Sequence, residues 1–511
     1  MAVCKPPTPS SKVGQTSTSC LRKFTIHFRR PDTLNENSNY SYRGEYGFDW
    51  LRDEYIYPME VVDVQLLDND NYGPVATEPS YFNKAIPLCV NPDKLREEYR
   101  YYNDKKNKKN PFTPYGIDYY PAWLSIFACN VEGNAGSTMH QDGINLTLQL
   151  DEIDTIIDDD TEIIFEPSKP CLKITPNRIS ISHFLKTPKK TRILDSDKRT
   201  PTINYYQLDS TINIKCFGDT LKEHEEIRVF AKKGPTKVEV GKLMVYQNDN
   251  IGKAKIVVVN VITEYDEKGN KEYPQSYKSL DDLYNCQSFN QAMIRTEVIL
   301  GKELDLVKLK GNSDVTDFLK DINDNTYLEG DNAENITARL YDLYDKYGKN
   351  LSKRGKVDGN KDLYTYLLFT AIRLPSATEP GGASGYTAKG GGWISDEKFQ
   401  GEKFQGGDLF CTFITGLNSE FTLVHEAGHS FSLVHTYSKN NKYAFHRGYT
   451  ENYMDYEAAL TFDSGKKIFF LNSKKQVAPY LKDNRYKGKM YSFYKWQWDF
   501  MFNDRSIEKN K

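Results

Sequence analysis

A histidine at 425 and another at 429, with a glutamate at 426, constrain this chain more than any other feature in it. The segment reads Phe421-Thr-Leu-Val-His-Glu-Ala-Gly-His-Ser-Phe-Ser-Leu-Val-His435. On a helix, residues four apart leave the same face one turn apart. Two imidazole nitrogens placed that way reach a single Zn²⁺ at about 2.0–2.1 Å. Glu426 follows the first ligand and points beside the metal, where a carboxylate can take the proton of a bound water. His435 comes six residues after His429, so it reaches the same metal only if the helix ends between them. Leu423, Val424, Ala427 and Phe431 offer an apolar face that anchors the helix in a core. The chain has 8 His, and four of them (His425, His429, His435 and His446) fall between 425 and 446.

This pattern resembles the metzincin peptidases, whose signature is HExxHxxGxxH followed by a turn that contains methionine. His425 to His435 is similar to the first part and Asn452-Tyr453-Met454-Asp455-Tyr456 to the second. The pairing of His435-Thr436-Tyr437 with that turn looks most like the pappalysin branch, and Trp496-Gln-Trp-Asp-Phe-Met501 resembles that branch's closing helix. The resemblance covers roughly residues 250–511. It implies a zinc endopeptidase with His425, His429 and His435 as ligands, Glu426 as general base and acid, and Met454 as an apolar floor. It also implies that Tyr456 reaches the metal or the developing oxyanion, and packing alone is the other reading of that residue. One position departs from the pattern: Ser432 stands where the family has glycine. A serine in the left-handed turn needed there costs about 1 kcal/mol.

Upstream, the organisation changes twice. Residues 1–22 are Ser-, Thr- and Pro-rich and read as a flexible N-terminus. Residues 23–136 read as a small β-rich or α+β module, with a strand signal at Phe24–Phe28. Residues 137–247 alternate with period two (Leu146, Leu148, Leu150; Ile212, Ile214, Cys216; Ile227, Val229, Ala231), which predicts an immunoglobulin-like β-sandwich. From 248 to 511 strands alternate with helices. Ile256–Ile262 reads as a buried strand, Leu280–Leu300 as helical, Leu304–Leu309 as a strand, Ile336–Tyr347 as a helix, and Leu363–Ala371 and Asp408–Thr415 as strands. The expected fold is therefore multidomain: N-terminal β-rich modules, one an immunoglobulin-like sandwich, then an α+β metzincin catalytic domain. A fragment from about Asp249 onward is expected to fold alone.

Other segments carry less. Gly381–Gly392 lacks the Gly-Lys-Ser/Thr of a phosphate loop and reads as a substrate-side loop. Asp68–Gly73 and Asp158–Asp160 read as polar turns rather than calcium loops. His140 and His224 read as surface residues, and His446 as a loop histidine near the site. The basic run Lys466–Met490 reads as a solvated loop. The eight cysteines form no CxxC pair, and Cys216 and Cys411 read as small core residues.

Charges nearly cancel, with 68 Lys and Arg against 70 Asp and Glu, so composition points to no nucleic-acid partner. No stretch is apolar enough to predict a transmembrane segment, and no signal peptide is visible. The expected partner is a protein or peptide substrate. A bacterial effector or toxin secreted by a leaderless route, docking to a secretion or contractile injection apparatus through its N-terminal half, reconciles such a peptidase with that beginning. The alternative, from a different class, is a binding or structural protein with a vestigial zinc site, its function carried by the N-terminal β modules.

Overall fold

The computed structural model describes residues 21–34, 41–63, 83–102, 109–133, 136–195, 202–274, 279–324, parts of 336–348, 365–371, 385–387, 392–396, 401–405, 409–413, 416–438, 441–461, 470–471, 477–504 apart from 479, and 507–509. Asp68–Gly73, most of Gly381–Gly392 and part of the basic run Lys466–Met490 lie outside them.

Alternating apolar residues make strands of the first half, since period two puts every second side chain on one face. One sheet has the order Phe24–Arg29, Ile144–Glu152, Thr202–Phe217, Lys190–Ile193; Ala128–Cys129 and Leu172–Thr175 also pair with the long strand Thr202–Phe217. A second runs Arg178–Ser180, Glu162–Pro167, Glu225–Lys233, Thr236–Val245, Ala122–Ser125, Gly47–Asp49. Their inner faces share one core, in which Ile26, Leu148 and Ile214 of the first meet Phe165, Val229 and Leu243 of the second.

The expected boundary between 136 and 137 does not separate two bodies. Phe24–Arg29 lies antiparallel to Ile144–Glu152, with Ile26 opposite Leu150 and Phe28 opposite Leu148. Ala122–Ser125 runs parallel to Thr236–Val245. The cause is local: Phe24, Ile26 and Phe28 form an apolar face that a lone strand has no means of burying, and the shared core buries it.

The second half is built on a five-stranded sheet, ordered Ile294–Asp305, Gly252–Ile262, Thr365–Ala371, Leu409–Thr412, Gly385–Thr387. The first four strands are parallel, and Gly385–Thr387 closes the edge antiparallel to Leu409–Thr412. Parallel sheets are covered on both faces, so their central strands are continuously apolar. The run Ile256–Ile262 follows that rule. Ile256 and Val258 enter a core with Leu423, Ala427 and Trp498, while Val257, Val259 and Val261 meet Val315, Phe318 and Leu340 on the other side. Val315, Phe318 and Ile322 come from the helix Ser313–Asp324, and the described residues of the expected helix Ile336–Tyr347 are helical and join them.

The helical reading of Leu280–Leu300 needs correction. The helix is Leu280–Cys286, a 3₁₀ turn covers Phe289–Ala292, and the strand begins at Ile294. Met293, at φ 58°, turns the chain, and Ile294, Thr296 and Val298 then alternate as a strand should.

Described residues of 51–63 and 83–99 leave the two-sheet body and pack against the C-terminal segment. Tyr55, Leu88, Leu95 and Tyr99 share a core with Tyr443, Phe445, Tyr494 and Trp496. No described helix is long and apolar enough to cross a membrane.

Candidate metal centre

The ligand helix, Glu420–Ser430, starts where the Ser419 side chain accepts a hydrogen bond from the Thr422 amide at 3.1 Å. That bond satisfies one of the amides left open in the first turn. Leu423, Val424, Ala427 and Phe431 are fully buried in the core beneath the sheet, as their spacing predicts. With that face held, His425 and His429 are turned toward the opposite side.

His435 joins them. The three Nε2 atoms form a triangle with sides of 3.2 Å (425–435), 3.2 Å (425–429) and 3.1 Å (429–435). Tetrahedral zinc with Zn–N bonds of 2.0–2.1 Å sets its ligand nitrogens about 3.3–3.4 Å apart, so the donor set fits the ion in number, type and spacing. The other ring nitrogens settle the tautomers. Nδ1 of His425 lies 2.7 Å from the Tyr453 carbonyl oxygen, and Nδ1 of His429 lies 2.8 Å from that of Leu433. A carbonyl only accepts, so each Nδ1 carries the proton and each Nε2 presents a lone pair to the triangle.

Converging lone pairs repel one another unless a cation lies among them. Protonation is no substitute, because burial first, and then the neighbouring His429, push His425 down to about 3. Burial, followed by the charges of His429, His425 and Arg447, holds His435 well below the usual imidazole range. His425 and His435 are therefore neutral at neutral pH, the state in which imidazole binds metal. His425 is buried, whereas His429 and His435 are half-buried. The triangle is thus reachable from one side.

The Met-turn lies below. Met454 is fully buried, and the Thr436 amide donates to its carbonyl at 2.9 Å, tying the third ligand's neighbour to the turn. Buried Asp455 holds the turn's shape by accepting from the amides of Gly448, Thr450 and Tyr456 and from the Thr450 hydroxyl. Asn452 is locked by Gln497 of the closing helix, Lys495–Phe502. Tyr456 lies against the ligands, its ring centroid 5.6 Å from that of His425 and 4.9 Å from that of His435.

Ser432 adopts the left-handed backbone expected of the missing glycine, with φ 67°. The Leu433 amide donates to the Gly428 carbonyl at 3.0 Å, which ends the helix and swings the chain toward His435. The side chain offsets the strain, because its hydroxyl donates to the buried carboxylate of Asp504.

Glu426 is buried on the helix. Its charge, after burial, helps push up the thiol of Cys411 on the adjoining strand, which places the carboxylate beside that strand. His446 is not brought into the triangle: it is buried, and its amide donates to the Leu88 carbonyl. His140 is a correction, because it is 4% exposed rather than on the surface; its ring accepts from the Phe127 amide and meets the Glu45 carbonyl. His224 is half-buried between Trp123 and Tyr246. Asp159 bonds Thr161 and Lys233, as a polar turn should.

Two neighbours of the centre have no role assigned from the sequence. Tyr437 stacks on His435 at 4.8 Å, and the Arg447 guanidinium carbon lies 4.2 Å over the Tyr456 ring. Neither stands at a ligand spacing, so no periodicity marks them. Neither a model of a known protein family nor a curated protein sequence matches the chain.

Proposed function

We propose that this chain is a zinc-dependent endopeptidase whose second half is a metzincin-type catalytic domain, nearest to the pappalysin-like branch. The observation that carries this reading is the set of three Nε2 atoms on one accessible triangle, with Glu426 next to the first of the three histidines in the chain. A closed structural zinc site takes four protein ligands, whereas three leave a position for water and substrate. Zinc, when bound there, supplies Lewis acidity to the scissile carbonyl and to a water.

The chain's own residues do the rest. Glu426 accepts the water's proton and returns it to the leaving amine. The carbonyls of Tyr453 and Leu433 hold two ligand rings in their productive tautomers. The edge strand Gly385–Thr387 has one side without a partner strand among the described residues, which suits an extended peptide added by backbone pairing. Tyr456, against His425 and His435, is placed to donate its hydroxyl to the developing oxyanion. The same reading takes residues 137–247 as an immunoglobulin-like module and the N-terminal half as the docking part of a leaderless secreted effector.

The test is direct. Purified protein should hold about one zinc per chain by elemental analysis and cleave casein or gelatin in a chelator-sensitive way. His425→Ala and His429→Ala should lose the metal; Glu426→Gln should keep the metal and lose turnover. Full zinc retention in the double histidine variant sinks the metal centre. Near wild-type cleavage by Glu426→Gln removes that residue as the base, and zinc without any hydrolysis favours the binding-protein alternative.

A further inference from the structure

Far from the histidine triangle, a cavity of about 340 Å³ opens between the first sheet, the turn at 50–54 and the segment leading into the Met-turn. Arg29, Arg30, Arg52 and Arg192 stand on its wall. The guanidinium carbons of Arg29, Arg30 and Arg52 lie 5.8, 5.3 and 4.3 Å from the ring of Trp50, so three cations crowd one indole.

Four carboxylates, Asp32, Asp53, Glu54 and Glu451, line the same wall, but they are paired unevenly with the four arginines. Glu451 is shared: both Arg30 and Arg52 donate to the same oxygen, Oε1, so that buried trio retains one positive charge. Asp53 is taken by Arg192, at 2.7 Å from its Nε, and Asp151 behind it holds the same guanidinium at 2.6 Å. Glu54 faces Arg485 at 3.6 Å, and exposed Asp32 caps the Leu34 amide. Among the described residues, Arg29 is left with its own neighbour's carbonyl, Phe28, and no carboxylate within 4.0 Å. Among the same residues the Nε of Arg30, itself 5% exposed, has no hydrogen-bond partner. Buried charge without a counterion is costly. Burial first, and Arg192 after it, pull Arg29 below its usual range despite the pull of Asp151.

We propose that this cavity binds a small polyanion, with two or more phosphate or carboxylate groups, between Arg29 and the Arg30–Arg52 pair. Guanidinium forks recognise both kinds of oxyanion in the same bidentate way. A cavity of this size suits a small organic ligand better than a single inorganic ion. Bound there, the anion joins Arg29 of the first sheet to Arg52, which in turn donates to Glu451, the residue before Asn452. The site is independent of the zinc reading.

Calorimetric titration of the full chain with inorganic pyrophosphate, and separately with citrate at matched ionic strength, tests it. Saturable binding of either probe is expected, with a change in tryptophan fluorescence from Trp50; binding of one probe only assigns the phosphate or the carboxylate class. Arg29→Met leaves the Glu451 trio intact and should weaken binding about 10-fold or more. Gln207→Glu, on the same wall, removes no cation and should weaken it too, which keeps the test usable if the arginine variant misfolds. No saturable binding of either probe up to about 10 mM, or unchanged affinity in Gln207→Glu and a folded Arg29→Met, overturns the proposal.

Discussion

A Cβ added to Gly428 would lie 2.6 Å from the sulfur of Met454. The residue between the two helical ligands therefore rests on the floor methionine, and the gap admits no methyl group. Met454 is fully buried, so its sulfur can retreat only by disturbing the turn that carries the Tyr453 carbonyl. Gly428→Ala should cost about 1–3 kcal/mol of stability, as overpacking does, and weaken zinc binding at the same time. Thermal unfolding with and without zinc checks both; an unchanged zinc-dependent Tm shift would mean the floor does not support the ligands.

Ser432 makes an ordering prediction. Its φ of 67° is free of strain only for glycine, yet its hydroxyl bonds Asp504. Ser432→Gly relieves about 1 kcal/mol of strain but loses a charge-assisted hydrogen bond worth somewhat more. Ser432→Ala loses the bond and keeps the strain. Stability should therefore fall in the order wild type, glycine, alanine, with about 1 kcal/mol between the variants. Denaturant midpoints at constant m give the order, and a glycine variant above wild type would show that the Asp504 bond contributes nothing.

The pairing of His425 with His429 was legible in the chain because four-residue spacing on a helix is a local rule. His435 was legible only through a pattern, since its approach depends on a left-handed residue that sequence marks with glycine and this chain supplies with serine. The strand Ile294–Asp305 was misread because Leu283, Phe289 and Met293 carry a helical spacing into the turn before it, and only the left-handed Met293 breaks the run. The joining of Phe24–Arg29 to Ile144–Glu152 was not legible at all. Strand pairing across more than a hundred residues leaves no periodic trace, and neither does a guanidinium such as that of Arg447 stacked on Tyr456.

Tyr456 separates catalysis from packing. Its ring lies against His425 and His435 and under the Arg447 guanidinium, so phenylalanine keeps those contacts. If the hydroxyl serves the transition state, Tyr456→Phe should lower kcat by about 10–1000-fold with KM and zinc content little changed. An unchanged kcat would leave Tyr456 as a packing residue and the three-histidine centre intact.

Glu98 gives the structure an acid-sensitive joint. Its carboxylate takes Lys495 at 2.5 Å and Lys442 at 2.8 Å, joining the helix Pro92–Tyr99 to the closing helix and to the loop after His435. Burial alone would raise its pKa, but the two lysines outweigh burial and bring it down to about 2. A depressed folded-state value means that the stabilisation is complete above the unfolded-state value near 4.3 and is lost as pH falls through 2. The contribution at neutral pH is about 3 kcal/mol at most. Glu98→Gln should lower Tm at pH 6, and the gap from wild type should close between about pH 4.3 and 2. A gap that stays constant over that range would show that shape, rather than charge, matters at this position.

The two halves should not part cleanly at Asp249. Strand and helix order alone makes the second half look complete, but its metal floor leans on the first. Arg30 and Arg52 both donate to Glu451, which is 2% exposed and lies one residue before Asn452. Cutting at 249 removes both cations and leaves that carboxylate without them. Stripping the partners from a buried charge typically costs about 3–5 kcal/mol, a large share of a domain's stability. The same cut uncovers Tyr443, Phe445, Tyr494 and Trp496, now packed under Tyr55, Leu88, Leu95 and Tyr99. The fragment from Asp249 to Lys511 should therefore aggregate or lack a cooperative melt, while the same fragment co-expressed with residues 1–248 should recover zinc binding. Limited proteolysis of the whole chain should cut elsewhere before it cuts within the helix Pro92–Tyr99. A fragment that melts cooperatively and binds zinc alone would show that the Glu451 trio joins two independent bodies rather than completing one.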